Sequence, residues 1–422
     1  MHLLMTLALA ASYDKFVDDV SVHARAWSEP AGSGASAQEA WRALWVEAGP
    51  SVDYDTGGDR RKGDGGVRRA LRRAWDPTLP RPRPLSPACL ALGWPEKTDD
   101  PVLARVDAPT CLHLAEHKAL AEQFTAAAAG SSPRNPAPAF DPFMDDDGTL
   151  RSTYPLRSVG RSVLLLGWAA DDPITPARAV ATLGWDLTRG GDPSVTMSGL
   201  ATLDDAHDLL KGYALESDAT ELRRIADAMA SQTTDVDLLQ LARVAYLSSI
   251  ALMLRAVDPE SALIAHGTVA SRHAPLGSLG DLDGMKVPIR QFLKGAHRDS
   301  WEKAFQLVQI EDYDTRQAAL SGLATELEEA GGPVAALVGA AASSEIEALG
   351  RWDLKIMVRR QEGCLIQAGA LQALGEPLPS CPMGIDQQDD GLYTPKTAEE
   401  LQLKGRWEEA LWMPKVPPPT PG

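Results

Sequence analysis

Ser217-Asp-Ala-Thr-Glu-Leu-Arg-Arg-Ile-Ala-Asp-Ala-Met229 decides how the rest of the chain is read. It opens on capping side chains and an acidic first turn, which complement the unpaired N–H groups of a helix start. Leu222, Ile225, Ala226 and Met229 then recur at the three- and four-residue spacing of one helix face. Outward from this stretch the same grammar repeats. Thr175-Pro176 and Asp258-Pro259-Glu260 each set a capping side chain before a proline at the first helical position, where a missing N–H costs nothing.

Helices are predicted over 154–170, 176–189, 198–215, 236–257, 260–272, 287–294, 301–308, 314–330 and 345–374. They are joined by turns carrying Gly, Pro or Asp. Alternating β-branched or aromatic runs are scarce, and Ala and Leu dominate. The fold class is therefore all-α, an irregular stack of antiparallel helical hairpins with a loop-rich N-terminal region. In that region, 13–150, short helices are expected at 37–47, 66–75 and 111–129, between breakers such as Asp53-Tyr-Asp-Thr-Gly-Gly-Asp59, Arg81-Pro-Arg-Pro84 and Ser131-Ser-Pro-Arg-Asn-Pro136. The texture changes to longer periodic segments over 151–375, the main helical domain. A C-terminal extension, 376–413, carries one helix at 397–412. The tail 414–422 is rich in proline and reads as a solvated polyproline segment.

The chain has 422 residues, with 58 Asp and Glu against 41 Lys and Arg, a net charge of −17. That balance disfavours broad binding to nucleic acid. No run reaches the length of apolar residues that a transmembrane helix needs; the most hydrophobic segment, 238–254, is interrupted by Gln240 and Arg243. Arginine outnumbers lysine 29 to 12, which with abundant alanine suits a GC-rich genome.

Met1 to Ser12 ends in Ala8-Leu9-Ala10, the small-x-small pattern that precedes a signal-peptidase cut, yet it lacks a basic leader region. It is either a truncated signal segment, 1–12, or the first turns of an amphipathic helix continuing through Tyr13, Phe16 and Val20. Four cysteines fall as two local pairs, Cys89 with Cys111 and Cys364 with Cys381. An even count suits two disulfides in an oxidising compartment; the alternative is four thiols in the cytosol.

Cys111-Leu-His-Leu-Ala-Glu-His117 contains the order H-x-x-E-H and resembles the inverzincin metallopeptidases of the insulinase type. The resemblance covers five residues. It implies that His113 and His117, one turn apart, share a zinc, with Glu116 as the base that activates its water. The chain departs from the family at the third ligand, a downstream glutamate: after Glu122 the next is Glu216. The alternative reading is a helix with two surface histidines and a salt-bridging Glu116. Gly405-Arg-Trp-Glu-Glu-Ala-Leu411 resembles one line of a tetratricopeptide repeat but does not recur.

Asp145-Asp-Asp-Gly148 and Asp281-Leu-Asp-Gly284 start like calcium loops but miss the later ligand positions, and read as turns capping the next helix. Arg60, Arg61, Lys62, Arg68, Arg69, Arg72 and Arg73, followed by Arg81 and Arg83, form a basic patch in an acidic chain. An anionic partner or membrane surface would dock there; the alternative is pairing with the protein's own carboxylates. Trp27, Trp41 and Trp45 suggest a stacking cluster, although the i, i+4 spacing of the last two equally marks a core face.

No nucleophile elbow, P-loop, dinucleotide fingerprint or CxxC pair occurs. The functional expectation is a non-enzymatic helical scaffold or binding protein of the periplasm or cell envelope, with no catalytic, cofactor-binding or metal residue assigned. The alternatives are a zinc-dependent hydrolase using His113, Glu116 and His117, and a cytosolic helical adaptor.

Overall fold

The computed structural model describes residues 58–71, 83–84, 86–94, 97–98, 100, 102–130, 154–189, 193–214, 217–232, 291, 293–329, 340–379, 381, 384–387 and 393–396, with scattered positions in 40–47 and 238–246. Its helices are α1 (Gly58–Leu71), α2 (Pro87–Leu90), α3 (Ala108–Gly130), α4 (Tyr154–Ala169), α5 (Ile174–Arg189), α6 (Pro193–Ala214), α7 (Ala219–Ala230), α8 (Arg298–Leu307), α9 (Tyr313–Glu329) and α10 (Ala340–Ala373). The chain is all-α. Among the described residues, strand is confined to two antiparallel ribbons. β1 (Arg83–Pro84) pairs Arg83 with Thr98 of β2 (Lys97–Thr98), and β3 (Gly384–Gln387) pairs Ile385 with Pro395 of β4 (Tyr393–Lys396).

The start of α7 follows from its sequence. The Asp218 carboxylate accepts from the N–H groups of Thr220 and Glu221 at 2.8 and 2.9 Å, and Glu221 accepts in return from the Asp218 N–H at 3.1 Å. This reciprocal cap satisfies three donors at a helix end that would otherwise lack partners. The helix then buries Leu222, Ile225, Ala226, Ala228 and Met229. At α5 the sequence expectation needs correction. The helix begins before Pro176, at Ile174, and the residue that caps it is Asp172 rather than Thr175, because Thr175 itself donates to the Asp172 carboxylate.

Close approach of backbones organises the packing. At the crossing of α5 and α6, a Cβ on Gly199 would lie 2.5 Å from the Gly184 carbonyl oxygen and 2.6 Å from the Thr188 nitrogen. Where α1 meets α3, a Cβ on Gly63 would come within 2.6 Å of the His113 Cβ, and one on Gly66 would overlap the Thr110 hydroxyl. These glycines explain a second difference. The helix expected at 66–75 starts at Gly58 despite four glycines, since tertiary packing outweighs their poor intrinsic helix propensity.

Helices α1, α3, α4, α5, α6, α7 and part of α10 contribute to one apolar core that includes Val67, Phe124, Leu164, Leu183, Leu203, Ile225 and Ile366. Trp41 belongs to that core: it is buried, packs edge-on against Phe124 at 5.0 Å and donates to Asp186 at 2.9 Å. Helix α9 packs between α8 and α10, with Arg316 buried against Asp353 of α10. α10 starts at Ala340, five residues before the expected 345, and α8 starts at Arg298 after a π-helical turn, Leu293–His297, broken at Gly295.

Both cysteine pairs are disulfides. Cys89–Cys111 ties α2 to α3, and Cys364–Cys381 ties α10 to the segment that follows it. No helix among the described residues is long and apolar enough to cross a membrane. The segment 1–12, Trp27, Trp45, the stretches 260–272 and 397–412 expected to be helical, both Asp-Gly sequences, the repeat-like line 405–411 and the tail 414–422 lie outside the described residues.

Candidate functional site

The H-x-x-E-H helix, α3, places His113 and His117 as the spacing requires, one above the other with ring centroids 4.1 Å apart. Their side is the inner one. His113 is 4% and His117 0% exposed, while Glu116 lies on the exposed face. This corrects the reading of two surface histidines. It also separates the histidines from the glutamate that the peptidase resemblance would use as base. Opposite them, α4 presents Ser158 and Ser162, also one turn apart and fully buried.

The hydroxyl protons fix the direction of this ladder. Ser162 donates its single proton to the Ser158 carbonyl at 3.1 Å, so toward His117 Nδ1, 2.9 Å away, its oxygen accepts. Ser158 donates to Asp64 Oδ1 at 3.0 Å, so its oxygen accepts the long 3.4 Å approach of His113 Nε2. His117 is thus the Nδ1–H form and His113 the Nε2–H form, each held by a serine. The nitrogens that face the serines are donors, not lone pairs offered to a metal.

From Asp64 the network continues as ion pairs. Arg161 donates to Asp64 Oδ2 at 3.2 Å and through Nε to Asp205 Oδ2 at 2.9 Å, and Arg157 donates to the same Asp205 oxygen at 2.9 Å and to the Ala201 carbonyl. Two aspartates and two arginines balance in charge across α1, α4 and α6. The Asp64 and Arg161 side chains are 7% and 3% exposed. Among the described residues no group of three or more His, Cys, Asp or Glu is placed to hold a metal ion.

A second polar cluster lies along the seam of α6 and α10. Asp204, His207, Asp208 and Lys211 share one face of α6, and Arg359 and Glu362 answer from α10. Arg359 donates to Glu362 at 2.7 Å and pairs with Asp204; Lys211 lies 3.7 Å from Glu362 and 3.6 Å from Asp208. His207 Nδ1 is 3.4 Å from Glu362, and because a carboxylate only accepts, the imidazole is the donor.

Environment drives these groups apart. Burial pushes the Asp204 carboxyl up to about 6, helped by the Glu362, Asp208 and Asp205 carboxylates and opposed by Arg359. Burial acts on Glu362 in the same sense, but the His207 hydrogen bond and the Lys211 and Arg359 charges prevail and hold it well below the usual range. Burial lowers His207 from its ordinary value against the pull of Glu362. Asp204 is the group here whose carboxyl is raised, at a side chain that is 39% exposed and paired with Arg359.

The remaining sequence-singled residues are scattered. In α1, Arg68 and Arg69 are exposed, and Arg69 lies 3.9 Å from Asp107, a pair open to solvent on both sides. The side chains of Arg60, Arg61, Lys62, Arg72, Arg73, Arg81 and Arg83 lie outside the described residues. His297 is buried and accepts from Trp301 Nε1 at 3.2 Å, and burial lowers it to about 3, so it is neutral as an acceptor must be. Asp64, Ser158, Arg161, Asp204, His207, Arg359 and Glu362 were not singled out from sequence. The available signal was the i, i+3 and i, i+4 spacing of polar residues on α4, α6 and α10. Comparison with known protein families, with curated proteins and with solved structures gave no match.

Proposed function

We propose that the chain is a non-catalytic helical scaffold or binding protein, exported to an oxidising compartment such as the periplasm or cell envelope. The observation that carries this reading is the serine ladder. The two histidines of the one motif that suggested chemistry are inside the core, each already donating to a hydroxyl, with Glu116 on the outer face. A metal-dependent hydrolytic site needs its base and its metal within reach of one substrate position, and here Glu116 is exposed while both histidines are enclosed in the core. The closed pairs Cys89–Cys111 and Cys364–Cys381 support the compartment, since such bonds persist where thiols are not kept reduced.

The test is the intact mass of protein purified from its native cells and alkylated without reduction, with zinc measured on the same sample. A mass without alkyl groups and a preparation without stoichiometric zinc accord with the proposal. Four alkyl groups would turn it toward the cytosolic adaptor. One zinc per chain, lost on His113→Ala or His117→Ala, would replace it with the hydrolase.

A further inference from the structure

We propose that Cys364–Cys381 is a redox-labile latch, opened by a dithiol reductant while Cys89–Cys111 stays closed. The two disulfides differ in what a nucleophile meets. Cys89 and Cys111 are both 0% exposed, enclosed between α2 and α3, with the Ser86 hydroxyl 3.1 Å from the Cys89 sulfur. Cys364 and Cys381 are both partly exposed, one on α10 and the other in the extended segment beyond it. Exchange requires a thiolate to reach a sulfur, so an enclosed bond reacts only after local unfolding, whereas the α10 bond is open to attack in the folded protein.

Charge gives the exchange a direction. Arg360 lies one turn before Cys364 on the same side of α10, where a cation stabilises a thiolate. A departing Cys364 thiolate is therefore favoured, and attack falls on the Cys381 sulfur. The reductant thiolate bonds to the Cys381 sulfur as the S–S bond breaks and Cys364 leaves as thiolate, then takes a proton. The second thiol of the reductant resolves the mixed disulfide. In sum two electrons and two protons pass to Cys364 and Cys381, and the dithiol becomes a disulfide.

Opening the bond has a structural consequence. Past α10, the following segment is attached by Leu374 packed on the core, the Leu374, Gly375 and Glu376 N–H groups bonded back to the helix, the Arg223–Glu376 pair, this disulfide, and β3 packed on α10, among others. Reduction removes the covalent one and lets the β3–β4 ribbon leave the helix. The inference requires only that the disulfides form, and does not rest on the proposed compartment.

The oxidised full-length chain is treated under native conditions with dithiothreitol for graded times, alkylated, and mapped by peptide mass, with limited proteolysis on parallel samples. Cys364 and Cys381 are expected to label at least about tenfold faster than Cys89 and Cys111. Arg360→Gln is expected to slow that labelling by about two- to threefold. New cleavage sites within 376–379, 384–387 or 393–396 should accompany it while α3 stays intact. The double variant Cys364→Ser, Cys381→Ser should show those cleavages without reductant. Equal labelling of both pairs, earlier labelling of Cys89 and Cys111, or reduction that leaves the proteolytic pattern unchanged would overturn the latch.

Discussion

The polar network under α4 and the seam between α6 and α10 are built from the same residue types and do different things. Under α4, histidine meets serine and aspartate meets arginine inside the core, and every hydroxyl proton has a destination. Along the seam, aspartate, glutamate, lysine and arginine sit at partial exposure around the buried His207, and the environment pushes Asp204 up while holding Glu362 down. The first arrangement fixes how four helices cross. The second leaves a group that responds to pH. Burial and hydroxyl partners, rather than the presence of histidine, decide which of the two a cluster becomes.

Asp64→Ala should break the inner network most. It removes a carboxylate that Arg161 and Ser158 both use, and leaving a buried charge short of its partner costs about 3–5 kcal/mol. Equilibrium urea unfolding would read this; a loss no larger than that of a surface substitution would mean that water reaches Arg161. At the α5–α6 crossing, Gly199→Ala forces a Cβ against the Gly184 carbonyl and should cost about 1–3 kcal/mol in the same assay. In the seam, Arg359→Ala should cost less, about 1 kcal/mol, because its partners are partly solvated. If Arg359→Ala matched Asp64→Ala, the contrast between the two networks would fail.

The smallest effect, and the sharpest test of the seam, is a slope. Asp204 is raised from 3.8 to about 6, so the folded state holds this proton more tightly; its contribution is full below pH 3.8 and lost as pH rises to about 6. His207 and His297 are lowered, so theirs is present above 6.5 and lost as pH falls below it; Glu362, also lowered, acts likewise below 4.5. Asp204 therefore opposes the others between pH 4 and 6. Asp204→Asn should make stability climb more steeply with pH across that window, measured by urea midpoints at half-unit steps. An unchanged slope would show that Asp204 does not titrate there.

Much of the fold was legible because its signals are local. The α7 cap uses Asp218 and Glu221, three residues apart, and the apolar face follows at helical spacing. The cysteine pairs are separated by 22 and 17 residues, close enough to suggest their partners. Trp41 joins the core, one of the two readings its spacing allowed. The site was less legible because its partners are distant in sequence. Ser158 reaches Asp64 across 94 residues, and Arg161 reaches it across 97. Nor does hydrophobic periodicity reveal that the histidine face of α3 is inward, since the surface it meets on α4 is lined with hydroxyls. The early start of α1 was hidden for a similar reason: its glycines look like breakers until α3 is seen to need their missing side chains.

The most direct test of the central claim is the ring-nitrogen NMR spectrum of His113 and His117 in the folded chain, recorded before and after one equivalent of zinc. Nε2–H is expected for His113 and Nδ1–H for His117, with neither spectrum changed by the metal. Exchanging tautomers, or a zinc-induced shift at both rings, would contradict that claim and return the H-x-x-E-H helix to the role its spacing first suggested.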